Sequence, residues 1–142
     1  MNERETALKV LIADDSAVVR TRLAAMLTET EGIEIVGQAE DGIEAINAVK
    51  RLNPDAVILD IHMPRLNGIA ALKTLKKEKP SLRCIILTNY SNPVCRKRSL
   101  ELGADFFLDK SADFEQIPAI IKQLAGGSAQ RSEKQEITFT LA

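Results

Sequence analysis

Five side chains in this sequence are of the types that phosphoryl chemistry uses: the adjacent Asp14 and Asp15, then Asp60, Thr88 and Lys110. Each stands at the end of an apolar run: "VLIADD", "AVILD", "CIILT" and "FFLDK". A lone buried carboxylate is expensive, so an aspartate closing a strand-like run belongs at a mouth rather than in a core. Carboxylates packed together repel and resist ionisation unless something positive joins them. An oxygen-rich set of this kind suits Mg²⁺, which takes a few carboxylates and keeps waters that a phosphoryl group can replace. The ammonium of Lys110 is mobile and can reach a phosphoryl oxygen, and the Thr88 hydroxyl can donate to the same group. A metal, a lysine and a hydroxyl around one carboxylate stabilise charge in phosphoryl transfer, with Asp60 as the nucleophile that carries an acyl phosphate.

These residues meet only if the intervening chain brings their strand ends to one rim. The pattern alternates strand and helix five times. Apolar, branched runs at 8–14, 33–39, 56–61, 83–89 and 104–110 predict strands. Helical spacing marks 16–30, with Val19, Leu23, Met26 and Leu27 on one face. Further helices are predicted at 42–52, 68–78, from Asn92-Pro93 onward, and at 114–125. Ser16 and Asn67 suit N-caps, and Asn92-Pro93 reads as N-cap and first helical position. Pro118 lies far enough into the last helix to make its first turn irregular. Five βα units imply a parallel sheet with helices on both faces. Strands one, three and four are nearly continuous apolar runs, as central parallel strands are, whereas strands two and five carry charges, as edges do. That texture predicts an α/β, flavodoxin-like (βα)5 sandwich with sheet order 2-1-3-4-5 and its site outside the carboxyl ends of the strands.

Composition agrees with one domain. The 142 residues are 45% hydrophobic, and 19 basic residues nearly balance 20 acidic ones, so neither nucleic acid nor membrane exerts a global pull. The apolar runs are strand-length, the start "MNERETALK" is not a secretory signal, and Cys84 and Cys95 have no metal or disulfide spacing. The expectation is a cytoplasmic protein with reduced thiols, divided into an N-terminal extension (1–7), a domain over 8–125 and a polar C-terminal tail (126–142). A short strand at "EITFTLA" is a lesser alternative within that tail.

The pieces "VLIADDS", "AVILDIHMPRLNG", "IILTN" and "GADFFLDK" resemble the receiver domain of two-component response regulators, over roughly residues 8–125. Each piece is weak alone; all four, in order and at strand ends, are specific. The resemblance implies that Asp60 takes phosphate from a phosphohistidine on a sensor histidine kinase or a histidine phosphotransfer protein. It implies that Asp14 and Asp15 organise Mg²⁺ with Asp60 and the backbone carbonyl of His62. Thr88 and Lys110 would grip the phosphoryl oxygens, and Phe107 matches the family's rotating aromatic. Pro64 and Gly68 match the loop after the phosphorylated strand. Two positions depart from the family. Ser111 follows the lysine where the family has a proline in a cis bond, so a trans peptide is expected, and Asn89 stands where a smaller residue is usual.

Blander roles compete for several of these residues. Asp14-Asp15 alone would suit the first turn of a helix, and Thr88 alone could simply end a strand. One of Phe106 and Phe107 must be core. His62 reads as a solvent-edge side chain, and Arg96, Lys97 and Arg98 as a solvated basic face. Among rival functions, a haloacid-dehalogenase-like phosphohydrolase needs a second aspartate where His62 stands. A flavin-binding module needs a phosphate-cradling loop where "DDSAV" is acidic. A pseudo-receiver would not keep the complete acidic set. The chain is expected to act as a stand-alone receiver whose output is protein contact or phosphorelay, since only 15 residues follow Gly127; the receiver part of a longer DNA-binding regulator is the alternative. Phosphorylation should draw Thr88 toward the phosphoryl group, with Phe107 entering the vacated room. By the same resemblance, His62 and Tyr90 flank the approach of hydrolytic water.

Overall fold

The computed structural model describes residues 7–126. Five parallel strands, β1 (Leu8–Ala13), β2 (Ile33–Ala39), β3 (Ala56–Leu59), β4 (Arg83–Thr88) and β5 (Phe106–Asp109), lie in the order β2-β1-β3-β4-β5. The helices are α1 (Ala17–Thr28), α2 (Gly42–Leu52), α3 (Gly68–Glu78), α4 (Pro93–Glu101), a short α5 (Lys110–Asp113) and, after a 3-10 turn at Phe114–Gln116, α6 (Ile117–Gly126). The order is the one expected from strand texture, with the charged strands at the two edges. The expected strand at "EITFTLA", the polar tail beyond Gly126 and all but residue 7 of the N-terminal extension lie outside the described residues.

Side-chain alternation along each strand sorts the core into two layers. Leu11, Ala13, Val57, Leu59, Cys84, Ile86 and Phe107 face α2, α3 and α4. Val10, Ile12, Ala56, Ile58, Ile85, Leu87, Phe106 and Leu108 face α1 and α6, where Leu23, Leu27, Ile117 and Ile121 are buried. Phe106 and Phe107 are thus both core, on opposite faces. The helix starts follow local chemistry: Ser16, Asn67 and Asn92 each accept a backbone N–H from three residues on, and Pro93 occupies the first turn of α4. Pro118 sits in the first turn of α6, where its missing N–H costs nothing, and the 3-10 turn precedes it. On the β2 edge the pairing shifts by one, Val10 opposing Ile35 and Leu11 opposing Gly37, which leaves Val36 as a bulge.

The register gathers the site. Ala13 pairs with Leu59, Leu59 with Ile86, and Thr88 with Asp109. The residues that follow therefore leave the sheet along one edge of its carboxyl end.

Candidate phosphoacceptor site

Asp14, Asp15 and Asp60 each offer a carboxylate oxygen within 4.8 Å of the others. Asp14 and Asp60 are buried and Asp15 is exposed. Backbone bonds fix the first two: the Asp14 N–H donates to Ala39 O at 3.0 Å and the Asp60 N–H to Ala13 O at 3.0 Å, continuing the ladder one residue beyond the strands. Lys110 Nζ reaches across the sheet to Asp14 Oδ2 at 2.8 Å and Asp60 Oδ2 at 3.0 Å. Burial opposes charge on Lys110, but the hydrogen bonds to the two carboxylates outweigh it and raise its pKa. Burial also raises Asp14, against the lowering effect of the Lys110 and Ser16 hydrogen bonds.

Asp60 Oδ1 is buried and has no hydrogen-bond partner among the described residues. Leaving such an oxygen unsatisfied costs about 1–3 kcal/mol. Three carboxylates against one ammonium leave the cluster short of positive charge as well. Both observations fit a hard divalent cation, and Asp14, Asp15 and Asp60 are the side chains that would hold Mg²⁺.

The cavity above this cluster, about 520 Å³, is lined by Asp15, Ser16, Val19, Asp60, His62, Asn89, Tyr90 and Lys110. His62 is exposed, as expected, and its ring lies 5.2 Å from that of Tyr90. Thr88 is not on the cavity wall. It is fully buried at the end of β4, and its hydroxyl accepts the Tyr90 N–H at 3.0 Å. Phe107 is buried too, with the Arg96 guanidinium 5.9 Å from its ring centroid. Arg96 therefore departs from the expected solvated face, on which Lys97 and Arg98 do lie.

The loop from Asp60 to α3 is held on both sides. Gly68 donates its N–H to Ile61 O at 2.7 Å, and a Cβ there would fall 1.9 Å from Asp60 O, so no other residue fits without moving the backbone of Asp60. Arg65 adopts φ +66° and pairs with Asp41, the N-cap of α2, at 3.0 Å. That tether was not expected from the sequence, because 24 residues separate its ends. Beyond Lys110, the turn Lys110–Asp113 lies in the stretch between the fifth strand and the last helix for which the sequence predicts no element. Asp109 caps it, and the Lys110–Ser111 peptide is trans, as expected. The spacing of Asp109 and Asp113 around Ser111-Ala112 was the available signal.

A doubly wound sheet with an acidic cluster and one lysine at its carboxyl rim defines a phosphoacceptor module of signalling proteins. Comparison with known proteins gives the family. The model for the response regulator receiver domain matches residues 10–122, and the chain belongs to that family. It is 32% identical over 135 residues to the response regulator GacA of Pseudomonas aeruginosa, covering 95% of this chain and 62% of that protein. It is 52% identical over 99 residues to protein-glutamate methylesterase/protein-glutamine glutaminase 4 of Geobacter metallireducens, covering 68% of this chain and 28% of that one. The chain thus spans less than two thirds of the length of these relatives. Among solved structures, the CheX-CheY-BeF3-Mg²⁺ complex from Borrelia burgdorferi superposes with a TM-score of 0.78 at 30% identity, over 87% of this chain and 94% of that one. Among the described residues, no helix is long and apolar enough to cross a membrane.

Proposed function

We propose that Asp60 is the residue of this receiver that takes the phosphoryl group, with Mg²⁺ on Asp14, Asp15, Asp60 and the His62 carbonyl. The observation that carries this is the division of labour on Asp60: Oδ2 is held by Lys110, while Oδ1 has no partner among the described residues. In the forward step an Asp60 oxygen attacks phosphorus, the P–N bond of a phosphohistidine breaks, and the imidazole nitrogen leaves with its electron pair. Lys110 is close enough to follow the charge onto the transferred oxygens. Mg²⁺, when bound, neutralises charge that builds on the phosphoryl oxygens. Thr88 donates to the phosphoryl group after shifting out of its buried position, which frees room beside Phe107. In the hydrolytic step water attacks phosphorus, the bond from phosphorus to the Asp60 oxygen breaks, inorganic phosphate leaves and the Asp60 carboxylate is regenerated, so the chemistry begins and ends on the protein's own side chain.

The donor is a phosphohistidine on a kinase or a phosphotransfer protein. The exposed Val18, Thr21, Arg22 and Ala25 of α1, the helix whose Val19 lines the cavity, form a suitable docking patch, and Arg22 lies 4.4 Å over the Phe114 ring. Output passes to a protein partner or a further relay step, and no chemistry on another substrate is assigned to the chain. Mixing with acetyl phosphate and Mg²⁺ should add one phosphate to the intact mass. Asp60→Asn should abolish that shift while keeping the fold, and persistent labelling of the variant would refute the assignment.

A further inference from the structure

The two carboxylate oxygens of Asp109 serve different loops. Oδ1 accepts the backbone N–H of Ser111 at 2.8 Å, the N–H of Ala112 at 3.0 Å and the Ser111 hydroxyl at 2.7 Å. Oδ2 accepts the hydroxyl of Ser91, which lies in the loop between β4 and α4. The Asp109 N–H donates to Asp113 Oδ2 at 2.8 Å, so the turn is closed from both ends. The hydroxyls of Ser91 and Ser111, then the backbone donors, hold the Asp109 carboxyl far below the ordinary carboxylate range. Asp109 does not line the cavity and touches none of the three clustered carboxylates, so the phosphoacceptor chemistry leaves it without a task.

Its position supplies one. The turn capped by Asp109 begins at Lys110, whose Nζ must meet two carboxylates on other strands. A lysine stem has many rotamers, so the reach of its ammonium depends on where the backbone starts it. A capped turn sets that start without a proline ring. Asp109 also faces Thr88 directly across the β4–β5 ladder. Ser91 follows Thr88 by three residues, and Thr88 Oγ1 already holds the Tyr90 N–H. Any movement of Thr88 toward a phosphoryl group therefore drags a loop whose far end is tied to Asp109.

We infer that Asp109 is a positioning residue for phosphoryl transfer: one oxygen sets the backbone of Lys110, and the other couples the loop after Thr88 to that same turn. The inference rests on Asp60 being the phosphoacceptor. It assigns separable effects to the two bonds. Losing the cap lets the Lys110 ammonium wander, and misplacement on the order of 1 Å costs about a hundredfold in rate. Losing only the Ser91 bond leaves Lys110 in place and uncouples the two loops.

The test uses the full chain with acetyl phosphate and Mg²⁺, reading labelling rate by intact mass and Mg²⁺ half-saturation by the emission of Tyr90, the sole tyrosine in a chain without tryptophan. Asp109→Ala should slow labelling by about ten- to a hundredfold with unchanged Mg²⁺ half-saturation. Asp109→Asn, which keeps a capping oxygen, should recover to within about threefold of the parent, because asparagine caps as well as aspartate. Ser91→Ala should label within about twofold of the parent. Its amide signals at 111–113 should no longer move with those at 89–91 when beryllofluoride is added. Parental labelling by Asp109→Ala, no recovery in Asp109→Asn, or coupled signals in Ser91→Ala would each overturn the inference. If Asp109→Ala does not fold, loss of the coupled signals in Ser91→Ala still supports the inference and their persistence overturns it. A parent chain that takes no phosphate would instead refute the phosphoacceptor assignment beneath it.

Discussion

The sheet carries a lysine–aspartate cluster at each end, and the two differ in what they leave unsatisfied. At the amino end, Lys76 Nζ donates to Leu82 O at 2.6 Å and pairs with Asp105 Oδ2 at 3.3 Å. That same Asp105 oxygen accepts the Cys84 N–H at 2.8 Å, and burial pushes the neighbouring Cys84 thiol up to about 12. One cation meets one anion there, with backbone groups filling the remaining positions. At the carboxyl end, one ammonium faces three carboxylates, and a buried oxygen of Asp60 has no partner among the described residues. The same two residue types thus build a joint in one place and a receptive site in the other. What distinguishes them is saturation, which favours stability at the first and leaves work for a ligand at the second.

Substitutions should pull the two clusters apart. The largest effect is expected for Lys110→Ala, which should lower the labelling rate by about 10²–10³-fold, the usual loss on removing one charge-stabilising donor. Labelling of Lys76→Met, measured with the same small donor, should stay near parental. Its loss should appear in urea unfolding, as a destabilisation of about 2–3 kcal/mol from a largely buried carboxylate left unpaired. A rate defect in Lys76→Met that matches Lys110→Ala would erase the distinction.

Asp14 sharpens it further, because its sign is opposite. Its folded pKa is raised above the ordinary value of 3.8, chiefly by burial, so its charged form is less favourable folded than unfolded. The associated stability is complete below the unfolded pKa and is lost as pH rises through the raised value. Asp14→Asn should therefore stabilise the metal-free protein at neutral pH and weaken Mg²⁺ binding. The gap from the parent should narrow as pH falls through that window, and unfolding midpoints across pH check it. The smallest effect concerns the cavity wall. On the proposed reading, the rings of His62 and Tyr90, 5.2 Å apart on the cavity wall, stand in the path of water toward phosphorylated Asp60. His62→Asn combined with Tyr90→Ala should shorten the phosphoryl lifetime, and a longer lifetime would mean that one of the rings assists hydrolysis.

Much of this architecture is legible where physics acts locally. Ser16, Asn67 and Asn92 announce helix starts because a capping oxygen needs only the next three residues. Charges in strands two and five mark the edges because a central parallel strand has no wet face. Asp14, Asp15, Asp60 and Lys110 are legible for a related reason: once strand ends share a rim, residues at those ends must meet. The Arg65–Asp41 tether is not legible, since it depends on a left-handed backbone at Arg65 and on the packing of a loop against α2. Asp109 was visible only as the last residue of a strand. Its role as a cap emerges when the chain after Lys110 coils at once instead of running on to 114. Thr88 shows the limit most clearly, because its residue type announces a hydroxyl but not that the hydroxyl is turned into the protein and occupied.

The bulge at Val36 has a consequence for the protein in concentrated solution. A flat outer strand is a template on which identical molecules can stack their sheets and precipitate. Here the outer strand β2 changes phase partway along its length, and Glu34 sits within it. A second copy offering the same edge would meet a ladder that fits over only a few residues and would bring like charges together. Resistance to stacking at this edge thus comes from one extra residue and one charge, both remote from the carboxyl rim of the sheet.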